Sequence, residues 1–169
     1  MNNTLIYGYG NIGRTDDGLG IYAANTISKQ ENIKATVKTS YQLNIEDAYE
    51  ISGYKKVVFI DATDDIDMPY YFKSLKPSHS VTFTSHELFP PSILNLSAEL
   101  FESRPEAHML SISGYEWDVC EGLSIRARKN LDSALEFLYW FLNKNSNDKK
   151  CYLFDVKRSL MEEKSNVKL

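Results

Sequence analysis

Gly8-Tyr9-Gly10-Asn11-Ile12-Gly13-Arg14-Thr15-Asp16-Asp17-Gly18-Leu19-Gly20 follows the apolar run Leu5-Ile6-Tyr7 and leads into a helical pattern. This order reads as a strand, a glycine-rich turn and a helix start, because glycines at 8, 10 and 13 permit tight turning and close approach where a Cβ would intrude. Thr15 is expected as an N-cap. Asp16 and Asp17 then fall in the first helical turn, where negative charge suits the helix dipole.

Gly8-x-Gly10-x-x-Gly13 also satisfies the dinucleotide fingerprint, whose helix N-terminus would hold a pyrophosphate. Two features oppose a nucleotide-binding enzyme. Asp16 and Asp17 would repel the phosphates and compete for the free N–H groups. The second expected strand, near Lys34-Ala35-Thr36-Val37-Lys38, ends in Thr39-Ser40 and offers no acidic residue for a ribose.

With 169 residues, 43% of them hydrophobic, the chain has the length of one domain with a sizeable core. Its net charge of −4 and pI near 5.4 leave no basic field for nucleic acid or an anionic membrane. Cys120 and Cys151 stand far apart, without C-x-x-C spacing, and no signal sequence is evident, so a reducing cytoplasm is the expected compartment. No apolar stretch approaches the ~20 residues of a membrane span, so membrane insertion is not expected.

Outward from the turn, a first helix is expected over about 16–29, with Leu19, Ala23 and Ile27 at i, i+4, i+8. Asn44 can cap a short helix with Asp47 at the third position, as in a capping box. Val57-Val58-Phe59-Ile60-Asp61 reads as a strand buried on both faces, hence parallel and central. An acidic loop, Asp64-Asp65-Ile66-Asp67, then Tyr70-Tyr71-Phe72 and a turn at Pro77, precede a further strand at Ser80-Val81-Thr82-Phe83-Thr84. Ser85-His86-Glu87 follow it directly. Pro90-Pro91 open a helix carrying Ile93, Leu94, Leu96, Leu100 and Phe101. A fifth strand lies in 107–113, then a loop over 114–122. The last long helix is expected over about 130–142, with Leu131, Leu135, Leu138 and Leu142 on one face. Residues 143–150 read as a linker, and a charged tail closes the chain. The expectation is one α/β domain over 1–145, with a mostly parallel twisted sheet of about five strands and helices on both faces, followed by a linker and tail over 146–169.

In such a sheet the ligand crevice lies beyond the carboxyl ends of the strands. Asp16 and Asp17, Asp61, and His86 each follow a different expected strand end, so two carboxylates and one imidazole could converge as an O,O,N set for a divalent transition ion. Each also has an ordinary reading: a dipole partner, a loop cap, a surface histidine. His79 and His108 have no carboxylate company in this reading and are taken as ordinary.

The ordered set Gly8-x-Gly10-Asn11, Asp16-Asp17-Gly18-x-Gly20, Val57-Val58-Phe59-Ile60-Asp61-Ala62, Ser85-His86, Ser113-Gly114 and Gly122-Leu123-Ser124 resembles the hydrogenase maturation endopeptidases over about residues 4–140. The resemblance implies a cytoplasmic protease that removes a C-terminal extension from the large-subunit precursor of a nickel–iron hydrogenase once its metal centre is assembled. The family's metal positions fall on Asp17, Asp61 and His86. The chain departs from the pattern at Gly13, where Leu is common, at Asp17, where Glu is frequent, and at Ser40-Tyr41-Gln42-Leu43-Asn44, where many members carry Asp-Gly-Gly-Thr. In this last feature it resembles the branch acting on soluble or cofactor-linked hydrogenases.

The chain contains no H-E-x-x-H and no G-x-S-x-G, and neither cysteine has an evident histidine partner, so no independent nucleophile is nominated. Three ligands would leave open positions on an ion, expected to be nickel carried by the precursor, which would then be read as the recognition element. Asp16 is the candidate helper in peptide cleavage. A non-catalytic nickel-checking assembly factor is the alternative.

Overall fold

The computed structural model describes residues 3–78 and 88–143. Its elements run β1 (Thr4–Tyr9), a 3-10 turn (Thr15–Gly18), α1 (Leu19–Ser28), β2 (Thr36–Ser40), α2 (Asp47–Ser52), β3 (Lys56–Thr63), β4 (Tyr70–Leu75), α3 (Pro90–Phe101), β5 (Glu106–Ser113) and α4 (Ile125–Asn143). The five strands form one sheet in the order β2-β1-β3-β5-β4. All neighbours are parallel except β4, which lies antiparallel on β5 at the edge.

Helices cover both faces because the strand period of two sends alternate residues to opposite sides. Ile6, Val58, Ile60, Leu110 and Ile112 pack under α1 and α4. Leu5, Tyr7, Val57, Phe59 and Ala107 pack with Ala48 and Ile51 of α2 and Ile93 and Leu94 of α3. Val57 to Ile60 are fully buried, as a central parallel strand requires.

The differences from the sequence reading are local. α1 begins at Leu19 because residues 15–18 form a tighter 3-10 turn. β2 lies two residues further on than 34–38. Residues 70–75, not expected as a strand, form β4, whose alternating half-exposed pattern belongs to an edge. α4 starts five residues before the expected 130, because the Ser124 hydroxyl accepts the Ala127 N–H and caps it. At α2, Asp47 accepts the Asn44 N–H at 2.7 Å, the return bond of a capping box, while the Asn44 amide turns instead to the Gln42 carbonyl. The strand expected over 80–84, His79 and His86, and the linker and tail over 146–169 with Cys151 lie outside the described residues. No described helix is long and apolar enough to cross a membrane.

Candidate active site

β1 ends in the glycine turn, and the turn closes on itself. The Gly13 N–H bonds the Asn11 side-chain oxygen at 2.9 Å, Arg14 N–H bonds the Asn11 carbonyl at 3.0 Å, and Asn11 N–H bonds the Asp17 carbonyl at 3.2 Å. Gly10 holds φ at +135°, and a Cβ there would run into the Asp17 carbonyl oxygen. Glycine is thus required at 10 by both backbone angle and space. Gly20 has a similar constraint, since its Cβ would strike the carbonyls of Tyr9 and Ile60, so α1 rests directly on the ends of β1 and β3. Gly13 differs. A Cβ there would meet only the Asn11 side chain, at 3.2 Å. The third glycine of the apparent dinucleotide fingerprint therefore makes no close helix–strand contact, and the space beside Gly10 is filled by protein backbone.

The same turn brings Gly10 and the Asp17 backbone beside Asp61, near the carboxyl end of β3. The Asp61 Oδ1 accepts the Ala62 N–H at 2.8 Å and lies 3.9 Å from the point where a Gly10 Cβ would stand. Burial, and next the Asp61 charge, push the Tyr9 phenol well above its ordinary pKa, so it stays neutral beside this carboxylate. Asp17 and Asp61 line one cleft of about 280 Å³ with Tyr9, Arg14, Tyr41 and Phe89. His86 precedes the lining residues Leu88 and Phe89 by two and three positions but is itself outside the described residues. Among the described residues, no three His, Cys, Asp or Glu side chains cluster as a metal site.

The five-stranded sheet with this turn and cleft at its carboxyl ends allows the chain to be set beside known structures. No protein-family model matches it, and no curated protein does. Solved structures do match. The hydrogenase-maturating endopeptidase HybD from E. coli is 15% identical, with a TM-score of 0.64 over 80% of this chain and 89% of its own. The [NiFe] hydrogenase maturation protease HybD from Thermococcus kodakarensis is 23% identical, with a TM-score of 0.65 over 83% of this chain and 99% of its own. HycI from the same organism, also a [NiFe] hydrogenase maturation protease, is 17% identical, with a TM-score of 0.64 over 85% and 94%. The fold is that of the hydrogenase maturation endopeptidases. Coverage of nearly their whole length means that the maturation-protease fold accounts for the described domain.

Within that fold Asp16 does not join Asp17 and Asp61 at the cleft. It is 0% exposed, and its carboxylate accepts four hydrogen bonds: from Tyr115 N–H at 2.8 Å, Glu116 N–H at 3.0 Å, and Ser124 N–H and hydroxyl at 2.8 Å each. Burial would raise its pKa, but these bonds outweigh burial and hold the carboxyl below its ordinary value. A carboxylate so enclosed has no face for a substrate. It holds the 114–124 loop instead, helped by Thr15 N–H to the Cys120 carbonyl, the Thr15 hydroxyl to the Asp118 carbonyl, and the Arg14 guanidinium to the Trp117 carbonyl. Ser113-Gly114 and Gly122-Leu123-Ser124 flank this tethered loop, and a Cβ on Gly114 would press on Asp16 Cβ at 2.8 Å.

His108 corrects one reading. Its Nε2 lies 2.9 Å from Glu106 Oε1, so it does have carboxylate company, two residues back on the same face of β5. It stacks on Phe72 at 5.0 Å between ring centres and pairs in the sheet with Val58, three residues before Asp61, away from the cleft. The site residue that sequence reasoning passed over is Tyr9. Its position as the last residue of β1, between two glycines, was the available signal.

Proposed function

We propose that this chain is an endopeptidase that removes the C-terminal extension of a nickel–iron hydrogenase large-subunit precursor after nickel insertion, with the nickel already in the precursor as its recognition element. The observation that carries the reading is that Asp17 and Asp61, from separate strand ends, line one cleft in a fold shared with hydrogenase maturation proteases.

Asp17, Asp61 and His86 would complete the coordination of that substrate ion, leaving positions for the precursor's own ligands. An ion so held would supply Lewis-acid polarisation of a peptide carbonyl or an attacking water, and hydrolysis would add the water's hydroxyl to the carbonyl carbon and its proton to the departing amine. Tyr9 stays neutral beside Asp61 in the cleft, and Asp16 fixes the turn that presents Asp17. No step needs a side-chain nucleophile.

Incubating the purified chain with nickel-loaded precursor and weighing the large subunit by mass spectrometry tests the reading. Loss of a C-terminal fragment supports the peptidase. Binding with an intact C-terminus would favour the nickel-checking assembly factor.

A further inference from the structure

The cleft holding Asp17 and Asp61 does not end at Asp61. A second depression, of about 380 Å³, shares Tyr9, Asp61, Ala62 and Phe89 with the first and runs on across β3, β5 and β4 to Lys73 and Leu75. The sheet register explains its course. Asp61 pairs with Ser111 and Ser111 with Tyr71, while Lys73 stands opposite Met109. With strands ~4.8 Å apart and ~3.3 Å per residue, the Lys73 Cα is about 12 Å from that of Asp61, the span of three to four extended residues. Pro90 and Pro91 at the start of α3 form one wall, and Leu75 and Met109 give an apolar floor continuous with the core under α2 and α3.

The candidate centre thus sits where two grooves meet, as cleavage inside a chain requires: substrate must lie on both sides of the broken bond. The second groove contains an exposed ammonium. Among the described residues, ion pairs are made by Lys38, Lys56 and His108, and Lys73 is in none of them. We propose that this second depression receives the extended substrate polypeptide on one side of the scissile bond and selects an acidic side chain, held by Lys73, about three residues from the bond. The inference rests on the peptidase reading and adds its substrate preference. An aliphatic side chain over Leu75 and Met109 would supply the apolar part of the fit.

A lysine on an edge strand also discourages aggregation, so the test must separate that role from recognition. The full chain, labelled with ¹⁵N, is titrated with three octapeptides, acetylated and amidated, that differ only in Glu, Gln or Lys next to a leucine. A fourth peptide has Gln and a free C-terminal carboxylate. Shifts at Lys73, Leu75, Met109 and Ser111 are expected with the Glu peptide, at least fivefold weaker with Gln or Lys, and Lys73→Glu should reverse the order. Equal affinity for all peptides, shifts confined to Tyr41 to Leu43, stronger binding of the free terminus, or indifference to Lys73→Glu would overturn the proposal. Charge-selective binding without precursor cleavage would leave the groove standing and sink the peptidase. Cleavage unaffected by Lys73→Glu would do the reverse.

Discussion

The Asp16 carboxylate accepts both the backbone N–H and the hydroxyl of Ser124, each at 2.8 Å, across 108 residues of sequence. The same Ser124 hydroxyl accepts the Ala127 N–H at the start of α4. One buried charge therefore ties the turn carrying Asp17 to the 114–124 loop and to the last helix.

Asp16→Ala should destabilise the fold by ~3 kcal/mol, since it leaves the two buried donors of Ser124 and the part-buried N–H groups of Tyr115 and Glu116 without an acceptor, at ~1–3 kcal/mol for each buried one. Urea unfolding followed by tryptophan fluorescence measures it. A midpoint equal to wild type would show that the loop does not depend on this anchor.

The pH dependence has a defined sign. The folded Asp16 pKa lies below the unfolded value of ~3.9, so its stabilising contribution is complete above that value and is lost as pH falls through the lower folded pKa. Between pH 5 and 3 the wild type should lose more stability than Asp16→Asn. Parallel loss in both would assign acid sensitivity to other carboxylates.

Gly10→Val should lower both the melting temperature and precursor processing. Its φ of +135° strains a β-branched residue by ~1–3 kcal/mol, and its Cβ meets the Asp17 carbonyl that shapes the cleft. Thermal unfolding and processing of the same sample check it, and wild-type values in both would contradict the geometry.

The parts of the fold legible in the sequence were those with a strong period or punctuation. Val57-Val58-Phe59-Ile60 announced a central strand and Pro90-Pro91 a helix start, and both stand as read. β4 was missed because Tyr70 to Leu75 is half exposed on an edge, where burial imposes only a weak alternation. The first turn of α4 was missed because Ile125, 82% exposed, and Arg126 break the apolar stripe while the cap is a long-range structure around Ser124. At the site, strand-end position identified Asp17 and Asp61 as candidates to share a crevice. It could not separate Asp16 from Asp17, since neighbours in a 3-10 turn leave on different sides, and here Asp16 is buried against the 114–124 loop while Asp17 lines the cleft.

Asp17→Ala, Asp61→Ala and His86→Ala should each abolish processing of nickel-loaded precursor while keeping the wild-type circular dichroism spectrum, because on the proposed metal-site reading each removes one of three ligands and with it ion affinity, without opening the core. Full processing by all three variants would end the metal-site account.

Substrate-borne nickel as the signal for cleavage is tested most directly by chelator-treated enzyme mixed separately with nickel-loaded and nickel-free precursor, with the large-subunit mass read over time. Two carboxylates and one imidazole hold a divalent ion less tightly than thiolate-rich sites, so the enzyme should not need its own metal. The account predicts shortening of the nickel-loaded form alone. Equal cleavage of both forms, or cleavage that returns only when metal is restored to the enzyme, would contradict it.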